Sequence, residues 1–151
     1  MQVWRVCSKK YQRFDGVGAR LYGGRWNTPG IAVVYASASL ALAALELFVH
    51  VDADLMPSDL VAVKADIPEN LEPVTVKAES LPKKWRRYPA PDALKTIGTA
   101  WAARGSSVIL AVPSAIIPEE NNYLLNPAHR DFKRIHLNKP IPFHLDPRMW
   151  K

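Results

Sequence analysis

The sequence predicts an α+β domain, and three features predict it. Short apolar and β-branched runs alternate along the chain with two helical segments instead of forming separate blocks. No repeat, linker or low-complexity tract divides the 151 residues, which read as one domain over 1–151. Hydrophobic residues make up 48% of the chain, too many for a disordered sequence and enough for a core.

Taken in order, Gln2–Val6 reads as a first strand, followed by a loop containing Gly16 and Gly18. Gly24–Asn27 is expected to be extended, Thr28-Pro29-Gly30 to turn, and Ile31–Ala36 to form an apolar strand. The first helix runs through Leu40–Val49, rich in strong helix formers and free of Gly and Pro, with Ser37 or Ser39 placed to cap it. Asp59–Ile67 alternates like a half-buried strand and is ended by Pro68. Leu71–Trp85, interrupted by Pro73 and Pro82, reads as irregular surface with one edge strand at most. A second helix opens at Pro91 or Asp92, continues through Arg104 and stops at Gly105. Ser106–Val112 is a buried strand and Ser114 follows it directly. A loop rich in Asn and Pro then leads to strands near Arg134–Leu137 and Ile141–His144.

Glu46 is the only charged residue in the apolar stretch of the first helix. Burying an ionised carboxylate is costly unless a partner or a proton compensates it. Residues three, four and seven apart share a helix face, so the stripe of Glu46 carries Ser39, Ala43 and His50. Either this stripe faces water, or its small side chains let a ligand reach the carboxylate. The pattern leaves both open.

Charge and cysteine content narrow the function classes. A net charge of +6 and a pI near 9.6 invite a nucleic-acid reading. Its best patch is Lys83-Lys84-Trp85-Arg86-Arg87-Tyr88, where cations alternate with aromatics able to stack on bases. The alternative is that Trp85 and Tyr88 pack inward while the charges face water. The single cysteine, Cys7, excludes an internal disulfide and a cysteine-based metal site. His50, His129, His136 and His144 are scattered without ligand spacing, so no metal is expected. No apolar run reaches membrane-spanning length and Met1–Val6 does not open a signal peptide, which predicts a cytoplasmic protein without membrane contact. Gly23-Gly24 is too short to cradle a phosphate, and neither a dinucleotide fingerprint nor a Walker pattern occurs.

Two blocks carry a resemblance. Arg20–His50 (RLYGGRWNTPGIAVVYASASLALAALELFVH) and Trp101–Phe132 (WAARGSSVILAVPSAIIPEENNYLLNPAHRDF) resemble the core and the carboxy-terminal signature of the RES-domain family, bacterial toxins named for an arginine, a glutamate and a serine. The resemblance extends from Trp4-Arg5-Val6 to Asp146-Pro147-Arg148-Met149-Trp150. By carry-over Arg25 is the family arginine, Glu46 the glutamate and Ser114 the serine. Thr28 and Arg130 stand where the family pattern has prolines, away from the three named residues.

The resemblance implies an ADP-ribosyltransferase-like fold, with two small sheets forming a cleft beside flanking helices. It implies NAD as the substrate, with no further cofactor. Breaking the nicotinamide–ribose bond passes through an oxocarbenium-like state, which a fixed carboxylate stabilises more than the ground state, as in glycoside hydrolysis. Glu46 suits that role. Arg25 offers a planar fork for a pyrophosphate, and Tyr35 a ring to stack on nicotinamide. Ser114 would hydrogen-bond the ribose or fix Glu46. Arg5 would reach the phosphates, and Asn126 in Leu124-Leu125-Asn126-Pro127 would shape the pocket. Taken singly, the plain readings are a surface Arg25, a core Tyr35, a turn-forming Ser114 or Asn126, and an Arg5 that merely flanks its strand.

The family further implies a toxin of a type II toxin–antitoxin pair that depletes NAD by hydrolysis or phosphorolysis. Its partner would be an Xre-type helix-turn-helix antitoxin covering the active site, and DNA would be contacted only through that antitoxin. A transferase moving ADP-ribose onto a protein uses the same Glu46; Ala44 stands where many arginine-modifying transferases have an acidic residue, which disfavours arginine as acceptor. From another class come a catalytically silent partner-binding module and a basic nucleic-acid binder.

Overall fold

A computed structural model describes all 151 residues. Its strands are β1 (Gln2–Ser8), β2 (Val34–Ser37), β3 (Leu60–Asp66), β4 (Val74–Thr75), β5 (Ile109–Pro113), β6 (Asn121–Leu125), β7 (His136–Leu137) and β8 (Ile141–Pro142). The helices are α1 (Val17–Tyr22), α2 (Leu40–His50) and α3 (Asp92–Arg104), joined by short 3-10 turns. The fold is α+β with a mixed sheet, as the interleaved pattern predicts.

One hydrogen-bonded network runs β4-β5-β6-β2-β1-β3-β7, with β8 also on β3. β1 and β3 pair antiparallel over their whole length, from Gln2↔Asp66 to Ser8↔Leu60. β6 lies between β5 and β2, antiparallel to both, and β4 adds a parallel edge to β5. Between these halves, β1 and β2 share a single register pair, Trp4↔Ser37. The two small sheets expected of the family are therefore halves of one network that splays apart beside that pair.

The pleat sorts side chains onto two faces. On one, Val3, Val34, Val61, Val63, Ala65, Ile109 and Leu125 join a continuous core closed by Phe14 and Ile135. On the other, α3 covers the first half through Leu94 and Trp101 against Trp26, Leu110 and Leu124. α2 covers the second half, where Ala43 and Leu47 meet Val6, Ala62, Trp4 and Phe143. Both longer helices thus lie on one face and leave the splay between them. Gly98 makes the α3 contact possible, because a Cβ there would collide with the Trp26 carbonyl.

Departures from the sequence reading have identifiable causes. The expected loop around Gly16 holds α1, entered through Gly16 at φ +69°, a conformation that glycine takes without strain. Gly24–Asn27 is not extended but a tight turn, closed by the Gly24 amide on the Asn27 carbonyl at 3.0 Å. Strand β5 starts late, at Ile109, and just ahead of it the Ser107 hydroxyl accepts from the Ile109 amide and donates to its carbonyl, a local side-chain contact at the strand's entry. The largest departure is β6, placed by composition in a loop. Asn is a poor strand former, but pairing on both edges overrides that preference. α2 is capped by Ser39, whose hydroxyl accepts from the Leu42 amide at 3.1 Å.

Candidate functional site

The splay opens into a cavity of about 360 Å³, within the range of small-molecule sites. Arg25, Tyr35, Ser37, Glu46, His50 and Asn122 line it, together with Trp4, Arg5 and Ala43. Glu46 therefore faces a cleft and not open solvent, and Ala43 and His50 of its stripe face the same space.

The carboxylate is held from one side. Ser114 Oγ donates to Glu46 Oε1 at 2.8 Å, and Asn122 Nδ2 donates to the same oxygen at 2.6 Å. No protein group bonds Oε2, which is left for the cavity. Ser114 is fully buried and does not border the cavity. Its hydroxyl gives its one proton to Glu46 and accepts from the amides of Ile116 and Ile117, each at 3.1 Å. A hydroxyl has one donor and two acceptor sites, so none is left for a ribose. Of the two contacts expected of Ser114, the geometry makes the one that fixes Glu46.

Tyr35 projects from β2 into the same cavity, and its hydroxyl is also occupied. It donates to Asn27 Oδ1 at 2.7 Å and accepts from the Trp26 amide at 3.0 Å. Burial pushes its phenol well above the usual tyrosine range, so the ring meets the cavity as a neutral group. Only the ring is open to a ligand.

Arg25 sits at the apex of the Gly24–Asn27 turn. Its Nη1 donates to the carbonyls of Trp85 and Arg87 at 3.0 and 3.1 Å, while Nε and Nη2 have no protein partner. Partial burial lowers the guanidinium's affinity for its proton, and the nearby Glu46 and Tyr35 oppose that effect. Cation and carboxylate share the cavity without an ion pair between them. Both remain free to meet charge on a ligand.

Arg5 borders the cavity at the splay and also lies against the Cys7 thiol. Burial pushes that thiol up, and the Arg5 cation pulls the other way. Asn126 is not brought to the cavity. Its amide donates to the Ala102 carbonyl at 3.1 Å and its oxygen accepts from the Ala128 amide at 3.0 Å, so it ties the end of β6 to α3. The expectation that it shapes the pocket is thereby corrected: an Asn before Pro127 is spent on the turn it starts.

Two residues escape sequence reading. Asn122 lies in the unrecognised strand, and its only signal is that of a polar residue on the cavity-facing side of β6 opposite Ser37. Asn27, fully buried, donates to the carbonyls of Ala19, Thr28 and Ile31 and accepts from Tyr35. No cluster of three His, Cys, Asp or Glu side chains is placed to hold a metal ion. No helix is long and apolar enough to cross a membrane.

The basic stretch divides. Trp85 turns inward, but Tyr88 does not and is 85% exposed. Arg86 is committed to protein, donating to the carbonyls of Ala115 and Ile116 at 2.8 and 3.3 Å.

Known proteins can be set against this geometry. The RES domain matches residues 2–146. A curated relative from Sphingobium sp., the "Prs ADP-ribosylating toxin", is 39% identical over 97% of this chain and 94% of its own length. "Toxin Res" of Photorhabdus laumondii is 39% identical over 100% of this chain and 98% of its own, and that of Yersinia enterocolitica 37% over 99% of each. Among solved structures, the M. tuberculosis MbcT–MbcA toxin–antitoxin complex holds a chain that superposes with a TM-score of 0.78 at 16% identity, over 99% of this chain and 86% of that one. At that identity the likeness speaks for the fold alone. A domain match across nearly the whole length and full-length relatives well above 30% identity agree, and the chain belongs to the RES domain family.

Proposed function

We propose that the chain is the toxin of a toxin–antitoxin pair and that it cleaves the nicotinamide–ribose bond of NAD, passing ADP-ribose to water or inorganic phosphate. One observation carries this reading. Glu46 is fixed through Oε1 by Ser114 and Asn122, with Oε2 unpartnered on a cavity that also holds a half-free arginine and an aromatic ring.

The roles follow from what each side chain has left to give. As the bond to nicotinamide lengthens, positive charge gathers on ribose C1′ and its ring oxygen. A carboxylate already oriented lowers the energy of that state without reorganising. Arg25 Nε and Nη2 form a donor edge suited to the pyrophosphate. The Tyr35 ring supplies a face for nicotinamide, and its tethered hydroxyl keeps that face in place. The nicotinamide carbon–nitrogen bond breaks with its electron pair going to the ring nitrogen; C1′ then bonds to water, which releases a proton to solvent, or to an oxygen of inorganic phosphate.

The test is product analysis. Purified protein, freed of any partner, is incubated with NAD, with and without phosphate, and nicotinamide and ADP-ribose species are followed by chromatography. Release of nicotinamide that Glu46→Gln abolishes is the expected result. Intact NAD under every condition, from folded protein, would overturn it.

A second reading has its own support. The Sphingobium relative is named for ADP-ribosylation, which favours a protein side chain as acceptor. Incubation with labelled NAD and a cell lysate separates the two, because label then accumulates on a protein. Relatives named "Toxin Res" and a structural neighbour solved in a toxin–antitoxin complex support a protein partner; in this reading that partner covers the cavity. A helix-turn-helix antitoxin of Xre type would carry any DNA contact for the pair.

A further inference from the structure

We infer that Asn122, oriented by Ser37, is a positioning residue for Glu46, selecting which carboxylate oxygen meets the substrate. The inference rests on the reading of Glu46 as the group that stabilises the ribosyl cation.

Hydrogen-bond direction fixes the argument. An ionised carboxylate only accepts, so the Asn122 atom 2.6 Å from Oε1 must be the amide nitrogen. The amide oxygen then faces Ser37 Oγ at 2.7 Å and requires that hydroxyl to donate. The chain therefore runs one way, from the Ser37 hydroxyl to the Asn122 carbonyl and from the Asn122 amino group to Glu46. A flipped amide would set a carbonyl oxygen against a carboxylate oxygen.

Placement supports the same role. Ser37 and Asn122 are register partners on β2 and β6, with side chains on the cavity face, and Asn122 also faces Val112 on β5. Asn122 thus stands on a strand paired along both edges, while Glu46 stands on a helix that only packs over the sheet. The rigid partner sets the rotamer of the less constrained one. Ser114 approaches the same oxygen from the end of β5, so two donors converge on Oε1 and none on Oε2. A carboxylate held so cannot rotate its occupied oxygen into the cavity.

Steady-state NAD cleavage by the purified, partner-free protein tests this with Asn122→Ala, Asn122→Asp, Ser37→Ala and the double variant. Asn122→Ala is expected to lower kcat by about tenfold to a hundredfold with KM within about threefold, because misplacement acts on the transition state. Ser37→Ala should cost less, and nothing further on the Asn122→Ala background, since Ser37 acts through Asn122 alone. Asn122→Asp keeps the shape and puts two carboxylates at hydrogen-bond distance, where they share a proton. The acid limb of its pH–rate profile should move up by about one unit or more.

Asn122→Ala active within twofold of the parent, or Ser37→Ala costing the same on both backgrounds, would overturn the inference. Should Asn122→Ala fail to fold, the isosteric Asn122→Asp decides through its profile. Should the parent itself leave NAD intact, the functional reading fails, and carboxyl-labelled glutamate followed by carbon NMR decides the inference separately. The Glu46 signal, assigned by its loss in Glu46→Gln, should titrate at higher pH in Asn122→Asp. An unchanged titration overturns the contact.

Discussion

Gly24 and Tyr35 approach so closely that a methyl group on residue 24 would stand 2.7 Å from the phenol oxygen and 3.0 Å from the ring carbon bearing it. That oxygen cannot retreat, because Asn27 Oδ1 and the Trp26 amide hold it at 2.7 and 3.0 Å. Gly24, the residue before Arg25, therefore makes room for an aromatic wall. Gly24→Ala should push the Tyr35 ring into the cavity and cost about 1–3 kcal/mol of stability, as overpacking of a tight contact does. Thermal unfolding measures the stability, and titration calorimetry should find NAD binding weakened. Unaltered binding would remove Tyr35 from the nicotinamide wall.

Tyr35 also gives the fold a dependence on alkaline pH. Burial raises its phenol above the ordinary value, so the native state holds a proton that the unfolded chain releases. Above about pH 10, where an unfolded tyrosine ionises, each pH unit then removes about 1.4 kcal/mol of stability until the folded phenol ionises too. Below that pH the contribution is fully present. Tyr35→Phe starts less stable, having left Asn27 Oδ1 and the Trp26 amide without their partner, but it lacks this slope. Denaturant midpoints of both proteins between pH 8 and 11 should converge as pH rises. The Cys7 thiol, raised by the same cause, is common to both and cancels.

Arg86 separates the structural from the electrostatic reading of the basic stretch. Its guanidinium holds the carbonyls of Ala115 and Ile116, and the Ile116 amide in turn holds Ser114 Oγ, which holds Glu46. Lys83 and Lys84 make no such bond and are exposed. Replacing both lysines with Gln should leave NAD cleavage within about twofold, in line with the small effect of exposed charges. Arg86→Ala should lower kcat by roughly tenfold by loosening the loop behind Ser114. Salt-dependent nucleic-acid binding that both substitutions abolish equally would instead favour the basic-binder reading.

How much of this can be read from the chain depends on how locally each feature is encoded. α2 and α3 are legible because caps, stops and helix formers lie in continuous sequence. Arg25, Tyr35 and Glu46 fall within one short segment that folds back on itself, so their convergence on a cavity follows from one stretch of chain. β6 and Asn122 are not legible, since their structure comes from pairing with neighbours, β5 across a short connection and β2 far away in sequence. Ser114 can be named, but its role is set by the amides of Ile116 and Ile117 filling its lone pairs. Asn126 misleads for the opposite reason, being consumed by its own turn.

Asn27 shows what such a hidden residue is worth. Its sequence setting, Asn27-Thr28-Pro29-Gly30, reads as turn chemistry on a surface. It is instead fully buried, with Nδ2 at 2.9, 3.2 and 3.1 Å from the carbonyls of Ala19, Thr28 and Ile31. One amino group thus gathers the end of α1, the turn and the approach to β2, while its oxygen anchors Tyr35. Asn27→Asp keeps the volume but replaces a donor to three carbonyls with an acceptor. A buried polar group left unsatisfied costs about 1–3 kcal/mol, and more when charged; here one carboxylate oxygen keeps the Tyr35 hydroxyl, while the other stands against three carbonyls that have lost their donor. The variant should lose about 3 kcal/mol or more, against a typical total stability of about 5–15 kcal/mol. Its unfolding temperature should recover partly as pH is lowered through the carboxyl range, because the introduced carboxyl, once protonated, can again donate to one of the carbonyls. A variant as stable as the parent at neutral pH would mean that the three carbonyls find other donors and that Asn27 does not hold the wall behind Arg25.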